Sequence, residues 1–275
     1  MKKIIIKILG FWFIFLSRKK TFYSLNNFIF IKSLRALEYG NGGDPSTSGE
    51  MNIVSLLKHH FKNPIIFDCG ANKGQWAKLF IEKMKKDNFQ LFCFEPSKSA
   101  FNELSLTLKN RPDIKLFPLA VGNENGSATL YTDQDASKYA SLEKLNIYYN
   151  NIYHNKEEEI QVVKLDSFCS DNKIDNITYL KLDIEGYEYK ALLGAWQMIE
   201  QQKIDIIQFE FGKTNIDVKV FFKDFYQLLN KYYKFYRLMS WGIEPMPDQY
   251  LESYEIFYCC NYIAISKNIK SNLLF

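Results

Sequence analysis

The run Ile65-Ile66-Phe67-Asp68-Cys69-Gly70-Ala71-Asn72-Lys73-Gly74 constrains the fold of this chain more than any other stretch. A short apolar segment ends in an acid. A glycine-bearing turn then opens a helix whose Trp76, Leu79, Phe80 and Met84 share one face. A strand that is apolar on both faces belongs inside a covered, parallel sheet. Gly70 and Gly74 allow close approach of backbone to a ligand, and amides at a helix start favour negative groups on it. The spacing is neither the dinucleotide G-x-G-x-x-G nor a P-loop. Asp68 at the strand end would repel a pyrophosphate and suits a cationic ligand; the structural alternative is a helix-capping acid.

Downstream the pattern repeats. Leu91–Phe94 reads as a strand and Ser97 to about Lys109 as a helix. Ile114–Val121, Ala128–Thr132, Tyr179–Ile184 and Ile204–Phe211 read as strands. Tyr187, Ala191, Ala195 and Ile199 line one helix, and Phe221–Tyr232 forms another. Phe235–Met239 and Ile256–Ile265 make a closing pair. The expectation is an α/β fold: a mostly parallel, seven-stranded, Rossmann-like sheet with helices on both faces and a closing antiparallel pair at the C-terminus. Ligands in such sheets bind at the carboxyl ends of the strands. Residues 133–158 are polar and Tyr-rich without periodicity and read as a substrate-facing loop. The breaker cluster Gly40-Asn41-Gly42-Gly43-Asp44-Pro45 sets a boundary. It divides the chain into an arm with its linker (1–44), one domain (45–268) and a tail (269–275).

Charge divides the same way. The net charge of +4 arises from 35 basic and 31 acidic residues, but residues 1–35 hold eight basic groups and no acid. The remaining chain therefore carries 27 basic against 31 acidic groups, a net of −4. A mildly acidic body without a basic stripe argues against nucleic acid as partner. The apolar run Ile4–Leu16 falls short of the ~20 residues that span a bilayer, and Ser17-Arg18-Lys19-Lys20 stands where a signal peptide would be cleaved. Two readings of the arm stay open: an anchor at an anionic membrane surface, or a helix packed on the domain. The five cysteines, none in a C-x-x-C pair, read as free thiols of a reducing, cytoplasmic compartment. The three histidines form no cluster with them that would suit a structural zinc.

Two further strand ends carry chemistry. Leu91-Phe92-Cys93-Phe94 ends in Glu95-Pro96, where an acid can accept both hydroxyls of a ribose. In Tyr179-Leu180-Lys181-Leu182-Asp183-Ile184-Glu185-Gly186, alternation points Lys181, Asp183 and Glu185 one way. Three charges on a central strand are costly unless paired or liganded. A buried ion pair would account for Lys181 and leave acids over. Gln208 and Glu210 alternate with Ile207, Phe209 and Phe211 in the same manner.

These segments, with Leu165-Asp166-Ser167-Phe168 and Asn261-Tyr262-Ile263-Ala264, resemble the FkbM-type family of class I S-adenosylmethionine (SAM)-dependent methyltransferases, over roughly residues 48–266. The resemblance implies that Gly70, Ala71, Asn72 and Gly74 cradle the methionine and ribose parts of SAM with Asp68 nearby. It implies that Glu95 binds the ribose, that Ala120 and Val121 lie along the adenine, and that Asp183 and Glu185 stand beside the methyl group and acceptor. Ser48-Gly49-Glu50 and Ser141-Leu142 resemble further family segments, while Asp166 reads as a helix cap. The implied reaction is O-methylation, often of a sugar hydroxyl in a glycan or glycolipid.

A hydroxyl is a poor nucleophile, so a base should assist. His59, His60 and His154 are poorly placed, which leaves the carboxylates Asp183, Glu185 and Glu210, with the first two preferred. A divalent metal among these acids is chemically compatible but not required. Tyr139, Tyr148, Tyr149 and Tyr153 could stack on sugar or merely pack the loop. The rival readings are a nicotinamide-dependent sugar oxidoreductase and a non-catalytic membrane-peripheral module.

Overall fold

The structure is a computed structural model of the 275-residue chain. It describes residues 7, 10, 11, 13, 14, 16, 17, 19–85, 88–109, 111–145 and 153–269. Eight strands form the main sheet: β1 (Ile65–Cys69), β2 (Gln90–Phe94), β3 (Ile114–Phe117), β7 (Ile177–Leu182), β8 (Ile204–Phe211), β9 (Tyr233–Met239), β10 (Gly242–Pro245) and β11 (Cys260–Ser266). Their order is β10-β9-β11-β8-β7-β1-β2-β3. The strands from β8 to β3 in that order run parallel, and β11 inserts antiparallel between β8 and β9. The α/β sheet with its C-terminal antiparallel closure is as expected, but it has eight strands rather than seven, because β10 turns back on β9 as a hairpin.

The expected strand Ile114–Val121 is two strands. Pro118 lacks the N–H that a continuous ladder needs. Beyond it β4 (Leu119–Val121) joins β5 (Gly126–Thr132) and β6 (Lys156–Val163) in a second sheet of order β4-β6-β5. β6 was not expected, because Lys156-Glu157-Glu158-Glu159 reads as a polar loop. It pairs with β5 along its length and with β4 at its far end, and buries only Ile160 fully.

Period-two alternation sorts the core onto the two faces of the main sheet. Ile66, Leu91, Tyr179, Ile206 and Ile263 meet helices α2 (Glu50–His60), α3 (Gln75–Met84) and α4 (Lys98–Thr107). Phe67, Phe92, Phe94, Leu180 and Phe209 face α5 (Leu165–Asp171), α6 (Glu188–Leu193), α7 (Trp196–Glu200) and α9 (Phe222–Leu229). Phe209 and Phe225 stack at 4.5 Å between ring centroids. The second face is largely aromatic, and each such ring contributes roughly 1.5–3 kcal/mol through burial. The helix expected through Tyr187–Ile199 breaks at Gly194. A side chain there would come within 1.9 Å of the Gly122 carbonyl oxygen, so the close crossing requires glycine.

Helix α1 (Tyr23–Ala36) precedes the domain, and α8 (Thr214–Val218) follows β8. The linker is bonded to the domain. Gly40 N donates to Cys259 O at 2.9 Å. The Arg237 guanidinium lies 3.9 Å from the Tyr39 ring centroid, and Glu38 accepts from Ser240 N at 2.7 Å. All five cysteines are free thiols.

Candidate active site

At the carboxyl ends of the central strands, the face that is apolar near its start turns polar. Ile66 is followed in alternation by Asp68, Tyr179 by Lys181, and Ile206 by Gln208 and Glu210. A cavity of about 370 Å³ opens here, within the roughly 300–1,000 Å³ of small-molecule sites.

One wall is the turn after β1. Gly70 N and Ala71 N both donate to Phe94 O at 3.0 Å, which ties the turn to the end of β2. Gly70 has φ +84°, and a side chain on it would meet the Asp183 carbonyl oxygen at 1.9 Å. Asn72 N donates to one oxygen of Glu95 at 2.8 Å and Ser97 N to the other at 2.9 Å. Burial nevertheless outweighs these bonds and pushes the Glu95 carboxyl up to about 7. Gly70, Ala71, Asn72, Glu95, Ala120 and Val121 line the cavity.

Two residues expected at the cofactor stand elsewhere. Gly74 faces α4, where a side chain would meet Leu104 Cδ1 at 2.9 Å, so its role is helix packing. Asp68 is wholly buried beneath the cavity and forms an ion pair with Lys181 at 3.4 Å. Lys181 bridges it to Asp183 at 2.9 Å, and its ammonium lies 5.6 Å from the Trp76 ring centroid. Burial alone would lower the ammonium, but Asp183, Asp68 and Glu50 hold it well above the usual lysine range. Glu50 comes from the Ser48-Gly49-Glu50 segment. It accepts from Ser48 Oγ at 3.0 Å and Gln208 Nε2 at 3.1 Å, and Gln208 also bonds Asn261 at 3.1 Å and Tyr179. The segment thus braces the site from below.

The opposite wall is acidic. Glu185 sits in the left-handed region (φ +51°) before Gly186, a strained conformation for a side-chain-bearing residue. Burial, then Glu210, Asp183 and Glu188, raise its carboxyl well above the usual range, opposed by Lys213. Burial and Asp183 raise Glu210 to about 8, although Cys259 Sγ donates to it at 3.0 Å. Glu188, which ends the family-like motif Lys181–Glu188 and to which the sequence assigned no role, accepts from Ile184 N at 2.9 Å and Gly186 N at 3.0 Å and shapes this turn. Asp183, Glu185 and Glu210 all line the cavity. No group of three or more metal-ligating side chains occurs among the described residues.

The loop after β5 closes over the site. Ser141 Oγ donates to Glu185 O at 2.8 Å. Tyr139 lines the cavity with Lys138 and Lys213, whose ammonium groups lie 5.0 and 5.3 Å from its ring centroid. His154 supports the loop from behind through Tyr139 O at 2.8 Å. Tyr153 is exposed, and Tyr148 and Tyr149 lie outside the described residues. Asp166 does cap a helix, but α7 rather than its own, accepting from Gln197 N and Met198 N. The linker supplies an unexpected wall through Gly40, Gly42 and Gly43. A side chain at Gly42 would sit 2.3 Å from Cys259 Sγ. Glycines chosen for close packing look in sequence like glycines chosen for flexibility, which hid this role.

From Asp68 to Tyr236, β1 through β9, the chain matches the Methyltransferase FkbM domain. The chain belongs to the FkbM methyltransferase family. Among the relatives of this FkbM methyltransferase is the 2-O-methyltransferase NoeI of Sinorhizobium fredii, 25% identical over 181 residues, or 62% of this chain and 73% of that protein. Another is the hexuronic acid methyltransferase AglP of Haloferax volcanii, 22% identical over 174 residues, or 62% of this chain and 66% of that protein. A solved FkbM methyltransferase from Methylobacillus flagellatus KT aligns over 74% of this chain and 44% of its own length, with 16% identity and a TM-score of 0.44.

Proposed function

We propose that this FkbM methyltransferase is a SAM-dependent O-methyltransferase acting on a sugar hydroxyl of a glycan or glycolipid. The observation that carries the reading is one cavity with the β1 turn and Glu95 on one wall and Asp183, Glu185 and Glu210 on the other. The relatives named as a 2-O-methyltransferase and a hexuronic acid methyltransferase support the class of acceptor. The nicotinamide reading gains no support from the family match.

The residues present fit SAM. Asn72 and Glu95 would hold its ribose, Ala120 and Val121 would flank its adenine, and the acidic wall suits a sulfonium cation. Bound there, SAM would supply an electrophilic methyl group. The chain's own part is alignment, exclusion of water and handling of the acceptor's proton. Asp183, engaged by Lys181, places a negative group at the cavity. Glu185 and Glu210 lie close enough for Glu210 to raise Glu185, and a carboxylate of this pair would take the hydroxyl proton. This shifts the preference from Asp183 towards Glu210, because an ion-paired carboxylate is the poorer base. Tyr139 offers a ring face to a sugar, and Lys138 and Lys213 beside it favour a saccharide that bears an acidic group.

Calorimetric titration with SAM and with NAD tests the cofactor. Transfer of labelled methyl from SAM into a cell glycan extract, followed by sugar analysis, tests the acceptor. Binding of NAD without SAM, or label recovered only outside saccharide, would sink the reading.

A further inference from the structure

Among the described residues, exposed apolar groups are densest in the short stretch before the catalytic domain. Of sixteen exposed large apolar side chains among the described residues, eight lie between positions 11 and 37: Phe11, Phe13, Ile14, Tyr23, Leu25, Phe28, Phe30 and Leu37. Helix α1 buries only Leu34 of its 14 residues, and Phe28 and Phe30 are 58% and 57% exposed. A helix that leaves Tyr23, Leu25, Phe28 and Phe30 exposed requires a cover.

Charge selects the cover. The first acid of the chain is Glu38, after eight lysines and arginines. Lys20, Lys32 and Arg35 are exposed beside these apolar groups, with the Lys32 ammonium 5.4 Å from the Phe28 ring centroid. A second copy of the chain would bring two such cationic faces together, whereas an anionic lipid surface accepts both the rings and the cations. Length decides the orientation. Fourteen residues rise about 21 Å, short of the ~30 Å hydrocarbon core, and no described helix is long and apolar enough to cross a membrane. The helix would therefore lie along the surface.

We propose that residues 19–37, helix α1 with its flanks, seat the enzyme on an anionic lipid surface. The seat is joined closely to the active site. Glu38 and Tyr39 are fixed to β9 and its turn, and Gly40, four residues beyond α1, already lines the catalytic cavity. A second cavity, bounded by Ile31, Leu34, Arg35 and Tyr39, shares Gly40 with it. The cavity mouth would thus stand beside the lipid headgroups. The proposal concerns lipid binding alone and does not depend on the methyl-transfer reading.

The test is co-sedimentation of the full chain with vesicles of phosphatidylglycerol and phosphatidylcholine, and with vesicles of phosphatidylcholine alone. The expected result is at least tenfold more protein on the anionic vesicles, reduced by high salt. Phe28→Ser/Phe30→Ser and Lys20→Gln/Lys32→Gln/Arg35→Gln should each lower that binding tenfold or more. Unchanged thermal melting would show that these variants fold. Wild-type protein left in the supernatant with both vesicle types would overturn the proposal, as would equal binding by the variants. A concentration-dependent dimer in analytical ultracentrifugation, dissociated by Phe28→Ser/Phe30→Ser in a protein that ignores vesicles, would assign the face to a second copy instead.

Discussion

Lys181 holds Asp68 at 3.4 Å in a position closed to solvent, so Asp68 lies under the cavity while Lys181 reaches its lining. Removing one partner of a buried pair leaves the other uncompensated, at a cost of about 3–5 kcal/mol. Lys181→Met is expected to lose that much in urea unfolding. Asp68→Leu combined with Lys181→Met should recover part of it. A cost below 1 kcal/mol for the single variant would show that the pair is not a structural element.

The carboxyl groups on the acidic wall set a pH dependence of stability. Glu210 rises from 4.5 to about 8 on folding. Between those values the folded chain holds a proton that the unfolded chain has released, so stability falls as pH rises. The melting temperature should drop from pH 5 to pH 8.5, and the drop should be smaller in Glu210→Gln. Parallel melting curves for the two proteins across this range would remove the assignment.

The same group predicts the shape of the rate profile. A carboxylate must be ionised to accept the acceptor's proton, so methyl transfer should increase with pH and level off above about 8. Glu210→Gln and Glu185→Gln should each lower kcat by roughly 10²–10⁴-fold, the usual range for a general base. SAM affinity measured by calorimetry should change little by comparison. Full transfer by both variants would leave the base elsewhere.

Gly70→Ala tests the donor wall. Its Cβ would lie 1.9 Å from the Asp183 carbonyl oxygen, so the ends of β1 and β7 must part. Weakened SAM binding and a lower melting temperature are expected together. Gly42→Ala, on the linker wall, is expected to raise KM for the acceptor while leaving SAM affinity close to wild type, as read by steady-state kinetics and calorimetry.

The elements legible in the sequence were those with strong periodicity. Phe67, Phe92, Leu180 and Phe209 announced buried parallel strands, and Glu95, Asp183, Glu185 and Glu210 announced the end of the sheet where the cavity lies. What escaped notice depended on partners distant in the chain. β6 looks like a loop because its Glu-rich run is stabilised by pairing with β5, not by burial. Gly74 and Gly70 stand in one motif, yet one packs a helix and the other abuts a strand end; only their surroundings separate them. Asp68 looked like a ligand because a lone acid does not reveal a lysine more than a hundred positions away.

The loop that carries Tyr139 and Ser141 springs from β5 and returns through β6, and those strands draw their hydrogen bonds from one another and from β4. The main sheet, which carries the β1 turn and Glu95, shares no ladder with them. The loop that carries Tyr139 and Ser141 therefore rests on a scaffold hydrogen-bonded apart from the main sheet, which it meets at the cavity and through contacts such as Lys98 N to Glu158 and the packing of β4 on β2. Under the proposed function, changes in that hairpin would reshape the side of the cavity that meets the acceptor while the β1 turn and Glu95 stay in place.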